Sequence, residues 1–105
     1  MGPYIQVITT TEKKEDAEKI AVTLVERKLA ACVQILGPIV STYRWKGAIE
    51  TATEWQCVIK SREGLYPEIE KAIQTVHPYE VPEIIVVPIM AGSRDYLEWL
   101  QGELV

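Results

Sequence analysis

The sequence predicts an α+β chain, a ferredoxin-like βαββαβ sandwich with a long central β-hairpin and a short C-terminal helix. Three observations predict it. Hydrophobic periodicity alternates between two and 3.6 in the order strand, helix, strand, strand, helix, strand. A Lys46-Gly47 step joins two long alternating runs, and glycine accepts the positive φ of a tight hairpin turn. Ser93 then opens a last amphipathic stretch as its N-cap.

Tyr4 to Thr9 is short, apolar and partly β-branched, which makes it a strand. Thr9, Thr10 and Thr11 are candidate N-caps for a helix beyond it. From Lys13, the residues Ala17, Ile20, Ala21, Leu24 and Val25 recur at helical spacing, predicting an amphipathic helix that ends near Leu29. Ala30 to Leu36 and Ile39 to Trp45 read as one long strand, bent or bulged by Gly37-Pro38. The return strand runs from Ile49 to Lys60. Ile49, Thr51, Thr53, Trp55, Cys57 and Ile59 share one face of it, and Glu50, Glu54, Gln56 and Lys60 the other. Leu65, Ile69, Ala72, Ile73 and Val76 form a second helical stripe, with Pro67 in the first turn and His77-Pro78 as the stop. Val81 to Met90 is a strand whose two prolines suit a sheet edge. Tyr96, Leu97, Trp99 and Leu100 lie on the terminal helix.

With 105 residues, the chain suffices for one domain, 1–105, and is too short for two. Its 48% hydrophobic and 25% charged residues are those of a folded domain. Net charge −4 counts against a nucleic-acid partner, which needs cations to neutralise phosphates. No apolar run nears the ~20 residues of a membrane span, and no basic, apolar leader opens the chain. The expected compartment is the cytoplasm, with Cys32 and Cys57 reduced. No phosphate-binding loop, nucleophile elbow or Ser-His-Asp arrangement is readable, so no catalytic activity is expected. The hairpin is also too long for a lone domain. Strands of about 12 residues rise about 40 Å, roughly twice the reach of Tyr4 to Thr9. Tyr43, Trp45 and Trp55 ride on that projection, and exposed aromatic edges invite a second copy.

Four segments carry a resemblance: K-L-A-A-C-V at Lys28 to Val33, S-T-Y-R-W-K-G-A-I at Ser41 to Ile49, H-P-Y-E-V-P-E-I at His77 to Ile84 and Y-L-E-W at Tyr96 to Trp99. In that order they resemble the divalent-cation tolerance family known as CutA, over nearly the whole chain. The resemblance implies a homotrimer joined by long hairpins, binding of divalent cations, copper especially, and a role in metal tolerance. It implies no catalysis. Copper favours imidazole and thiolate, which makes His77 and Cys32 the candidate metal ligands, with Glu80 as a carboxylate co-ligand. Each has a plain structural reading too: a helix stop for His77, a small core residue for Cys32, a solvated charge for Glu80. Some family members carry Cys where Thr9 stands and His where Val76 stands, so this chain has fewer soft donors. Two other functions fit the same architecture, a ligand-sensing regulator resembling trimeric PII proteins and a trimer that anchors a partner. The first lacks a glycine-rich or basic cradle for a triphosphate.

Overall fold

Tyr4, Ile5 and Val7 are buried among β-formers, and Tyr4–Thr11 forms strand β1 in the computed structural model, which describes residues 3–105. β1 runs two residues past the expected end. Thr9, Thr10 and Thr11 pair opposite Cys57, Gln56 and Trp55, so ladder bonds claim their backbone and none of them caps a helix. The Thr11 hydroxyl donates instead to Lys13 O at 2.8 Å. Helix α1 (Lys14–Glu26) starts at Lys13 with no side-chain cap.

α1 ends at Glu26, short of Leu29. Lys28 turns left-handed at φ 57°, its N–H donating to Val25 O and that of Leu29 to Leu24 O. This is a Schellman ending with lysine where glycine is usual. A left-handed L-residue costs roughly 1–2 kcal/mol, so Lys28→Gly is expected to raise stability by up to about 1 kcal/mol. The urea midpoint should rise at constant slope. A lower midpoint would show that the Lys28 side chain makes a compensating contact.

β2 (Cys32–Trp45) and β3 (Ala48–Arg62) form the long hairpin, paired out to Trp45 opposite Ala48. Lys46 at φ 51° and Gly47 at φ 82° give the two positive φ values of a type I′ turn. The register shifts between Leu36 and Ile39, so Gly37-Pro38 is the expected bulge. Gly37 is also a close approach, because a Cβ there would stand 2.6 Å from the Trp55 ring. β1 reaches only as far as Trp55, so residues 48–54 of β3 pair with β2 alone. The hairpin therefore projects as a two-stranded ribbon, and the molecule measures 45 × 25 × 22 Å.

A 3-10 turn (Glu63–Leu65) leads into helix α2 (Tyr66–Val76), with Pro67 in its first turn where a missing N–H does no harm. β4 (Ile84–Ile89) pairs antiparallel with β1, and the sheet order is β2-β3-β1-β4. This edge strand is shorter than the expected Val81 to Met90. Thr9 opposite Ile84 is its last pair, and Val81, Pro82 and Glu83 leave the sheet. Helix α3 (Arg94–Gly102) starts as expected, the Ser93 hydroxyl accepting from Tyr96 N–H at 3.4 Å.

One face of the sheet makes the core. Ile5, Val7, Cys57 and Ile59 are buried with Ala17, Ile20 and Leu24 of α1 and Ile69, Ala72 and Ile73 of α2. By register the opposite face carries Ile8, Leu36, Val58, Ile85 and Val87. α3 reaches only one end of the sheet, where Leu97 lies near Tyr4 and Ile89. Ile85 keeps 48% of its surface in solvent and Val87 39%.

Candidate functional site

Where the ribbon leaves the sheet, the segment 77–83 lies across its base. His77 ends α2 with an extended backbone (φ −77°, ψ 132°), as its position before Pro78 requires. The ring is buried. Its Nε2 lies 2.7 Å from Thr10 O, and its Nδ1 lies 3.2 Å from Tyr79 N. A carbonyl only accepts and an amide N–H only donates, so Nε2 carries the proton and Nδ1 accepts. His77 is thus a neutral imidazole with both nitrogens in use. Its ring packs on that of Tyr79, with centroids 4.7 Å apart.

Tyr79 carries the chain of contacts onward. Its hydroxyl donates to Glu54 Oε2 at 2.7 Å. Burial, and then the Glu54 carboxylate, hold this hydroxyl well above the ordinary tyrosine range, so it stays a neutral donor. Glu54 itself is only 7% exposed. The alternation of β3 places it with Glu50 and Gln56 on the polar face, and folding buries it because Tyr79 closes over it.

Around this carboxylate lies a cavity of about 570 Å³. Tyr43 and Trp45 of the ribbon form one side, and Tyr79, Glu80, Val81 and Glu83 the other. Thr10 and Glu12 close the end where β1 stops. Four carboxylates line it, those of Glu12, Glu54, Glu80 and Glu83, and no lysine, arginine or histidine does. Lys46 at the ribbon tip reaches the Glu80 carboxylate at 3.9 Å, an exposed pair that contributes little.

The three candidate metal ligands fall in different places. Glu80 is on the cavity, and His77 stands behind its wall with both nitrogens bonded. Cys32 is elsewhere. It opens β2 opposite Lys60, which pairs with Gln6, four residues from Thr10 along β1 and so about 13 Å away along the strand. Among the described residues, no three His, Cys, Asp or Glu side chains are grouped to hold a metal ion. Cys57 is a core residue. Burial pushes its thiol up to about 11, which keeps it protonated and unlike the thiolate that metals take. Sequence alone does not mark Glu54 as a site residue, because its burial depends on Tyr79, 25 positions further along the chain.

A two-layer βαββαβ sandwich, an overlong ribbon and an acidic cavity at its base define a ferredoxin-like α+β domain. The sequence model of the CutA1 divalent ion tolerance protein family matches residues 5–103, and the chain belongs to that family. It is 40% identical over 95 residues to a divalent-cation tolerance protein CutA of Thermus thermophilus, covering 90% of this chain and 92% of that one. Identity to the chloroplastic protein CutA of Arabidopsis thaliana is also 40%, over 95% of this chain but only 55% of the longer plant protein. The crystal structure of CutA1 from Oryza sativa superposes with a TM-score of 0.96 at 38% identity, covering 99% of this chain and 95% of that one. Family membership supports a place in divalent-metal tolerance. No described helix is long and apolar enough to cross a membrane.

Proposed function

We propose that the chain works as a homotrimeric divalent-cation-binding protein of the cytoplasm, serving metal tolerance, with copper the ion it takes most readily. The observation that carries this reading is the acidic cavity beside the only imidazole of the chain. Copper stands at the top of the divalent affinity order, so a site with few donors favours it. Glu80 offers the first carboxylate. His77 offers Nε2 only after its proton moves to Nδ1, which gives up both the Thr10 O and the Tyr79 N–H bonds, and that cost keeps binding weak. A neighbouring copy supplies the remaining ligands. Cys32, on another part of the sheet, contributes little to this ion.

Trimer formation is supported by the bare apolar sheet face and by the ribbon, since an isolated two-stranded hairpin is marginal in water. Two free thiols suit a reducing compartment. No turnover is proposed, because the sequence carries no readable nucleophile–base pair around its one histidine. The carboxylate lining also repels a triphosphate, which disfavours the nucleotide-sensing reading.

Calorimetric titration with Cu²⁺, Zn²⁺ and ATP in parallel tests the reading. Copper heat should exceed that of zinc, and ATP should give none. His77→Ala should remove most copper binding and Cys32→Ser little. Copper held as tightly by His77→Ala as by the parent would make His77 purely structural. ATP heat without copper heat would favour the regulator.

A further inference from the structure

A carboxylate buried without a cation is costly, and Glu54 is such a group. It lines the cavity at 7% exposure. Tyr79 donates to Oε2, and among the described residues no lysine, arginine or histidine forms an ion pair with it. Within one chain, the described residues leave this charge without an ion-pair partner. The carboxylates that the copper reading leaves over, those of Glu12, Glu54 and Glu83, are dispersed along the cavity, and among the described residues no three donors converge on one point. What suits dispersed negative charge is positive charge dispersed along a chain.

The walls agree with this. Tyr43, Trp45 and Tyr79 line it with aromatic rings, a type that attracts ammonium groups and packs against methylenes, and Lys46 Nζ already lies 5.6 Å from the Trp45 ring centroid. Thr10 and Ser41 add polar groups to the lining. A volume of about 570 Å³ lies within the range of small-molecule sites, roughly 300–1,000 Å³. The key carboxylate is also fixed in advance. Thr10 O holds the His77 ring, His77 holds the Tyr79 backbone, and the Tyr79 hydroxyl holds Glu54. Little ordering is left to do when a ligand arrives.

We infer that this cavity is a binding site for a small aliphatic diamine or polyamine, one primary ammonium seated on Glu54, the methylenes against Trp45 and Tyr43, and the second charge toward Glu12 or Glu83. The site shares its cavity with the copper reading and differs from it in the carboxylate used, Glu54 in place of Glu80.

The test uses the full chain in its native assembly, titrated calorimetrically with 1,4-diaminobutane and with spermidine, and with 1,4-butanediol as the uncharged isostere. Saturable binding of one amine per chain, with Kd below about 1 mM, is expected, and the diol should give no heat. Glu54→Gln should weaken amine binding at least tenfold, on the order of one lost charge-assisted bond, and weaken copper binding less than His77→Ala does. A second variant, Glu12→Gln with Glu83→Gln, alters two positions outside the hydrophobic core, and should weaken spermidine more than the diamine. Absence of saturable amine heat, equal binding of the diol, or unchanged affinity in Glu54→Gln overturns the proposal. Loss of copper binding with amine binding intact would sink the metal reading and leave this one standing.

Discussion

Ile85→Lys combined with Val87→Lys is expected to convert a particle of about three times 11.9 kDa into one of 11.9 kDa, and to lower its melting temperature by well over ten degrees. Both residues lie on the bare sheet face and keep 48% and 39% of their surface in solvent within one chain. Substitutions at such positions normally change the stability of a lone domain by only about 0.5 kcal/mol. A large effect therefore requires a partner on that face. In a closed trimer each copy would bury two lysines against apolar neighbours, and the charge would appear at all three contacts. Light scattering at micromolar concentration reads the mass and calorimetry the melting temperature. A double variant that keeps the parental mass places the contacts elsewhere, with Val40 and Ile49 on the ribbon the next surface to probe. A parental protein of 11.9 kDa would refute the trimer itself.

The parts of this fold legible in the sequence are those governed by near neighbours. The Ala17, Ile20 and Leu24 stripe, the Lys46-Gly47 turn, the Gly37-Pro38 bulge and the Ser93 cap each depend on a few adjacent residues and stand where periodicity and turn chemistry put them, although Val25, expected on the same stripe, is exposed. The misread boundaries have long-range causes. Thr9 to Thr11 have cap chemistry, but eight ladder positions against β3 claim them for the sheet. Val81 to Glu83 have strand chemistry, but β4 finds no partner on β1 beyond Thr9. Lys28 hides a helix end because the usual glycine signal is missing.

The candidate site is harder to read for the same reason. His77 is legible as a special residue, being the only imidazole and preceding a proline. Its hydrogen bonds are not, since Thr10 lies 67 positions away. Glu54 sits in a polar register on β3, and nothing within several residues distinguishes it from Glu50. Only the α2–β4 segment, folding back over the ribbon, separates a buried carboxylate from a solvated one.

His77→Ala is expected to destabilise the protein by about 2–4 kcal/mol, with or without metal. The substitution removes the donor to Thr10 O and the acceptor for Tyr79 N–H, bonds that each contribute roughly 0.5–1.5 kcal/mol. Because it strands the carbonyl of Thr10, a buried residue, loss of that bond costs about 1–3 kcal/mol in place of the ordinary net value. The Tyr79 ring loses the surface it packs on, so the hydroxyl no longer has a fixed approach to Glu54. Tyr79→Phe provides the contrast. It deletes only the bond to Glu54 and leaves His77 anchored, so its loss should be about 1.5–3 kcal/mol, the range of a bond to a charged group. Urea denaturation monitored by circular dichroism, at one protein concentration because assembly contributes to stability, measures both. A His77→Ala midpoint within about 0.5 kcal/mol of the parent would mean that the ring does not hold the 77–83 segment in place. The same curve governs how the copper titration is read. Binding lost in a fully folded His77→Ala protein reports a missing ligand, whereas binding lost together with the fold reports a missing wall.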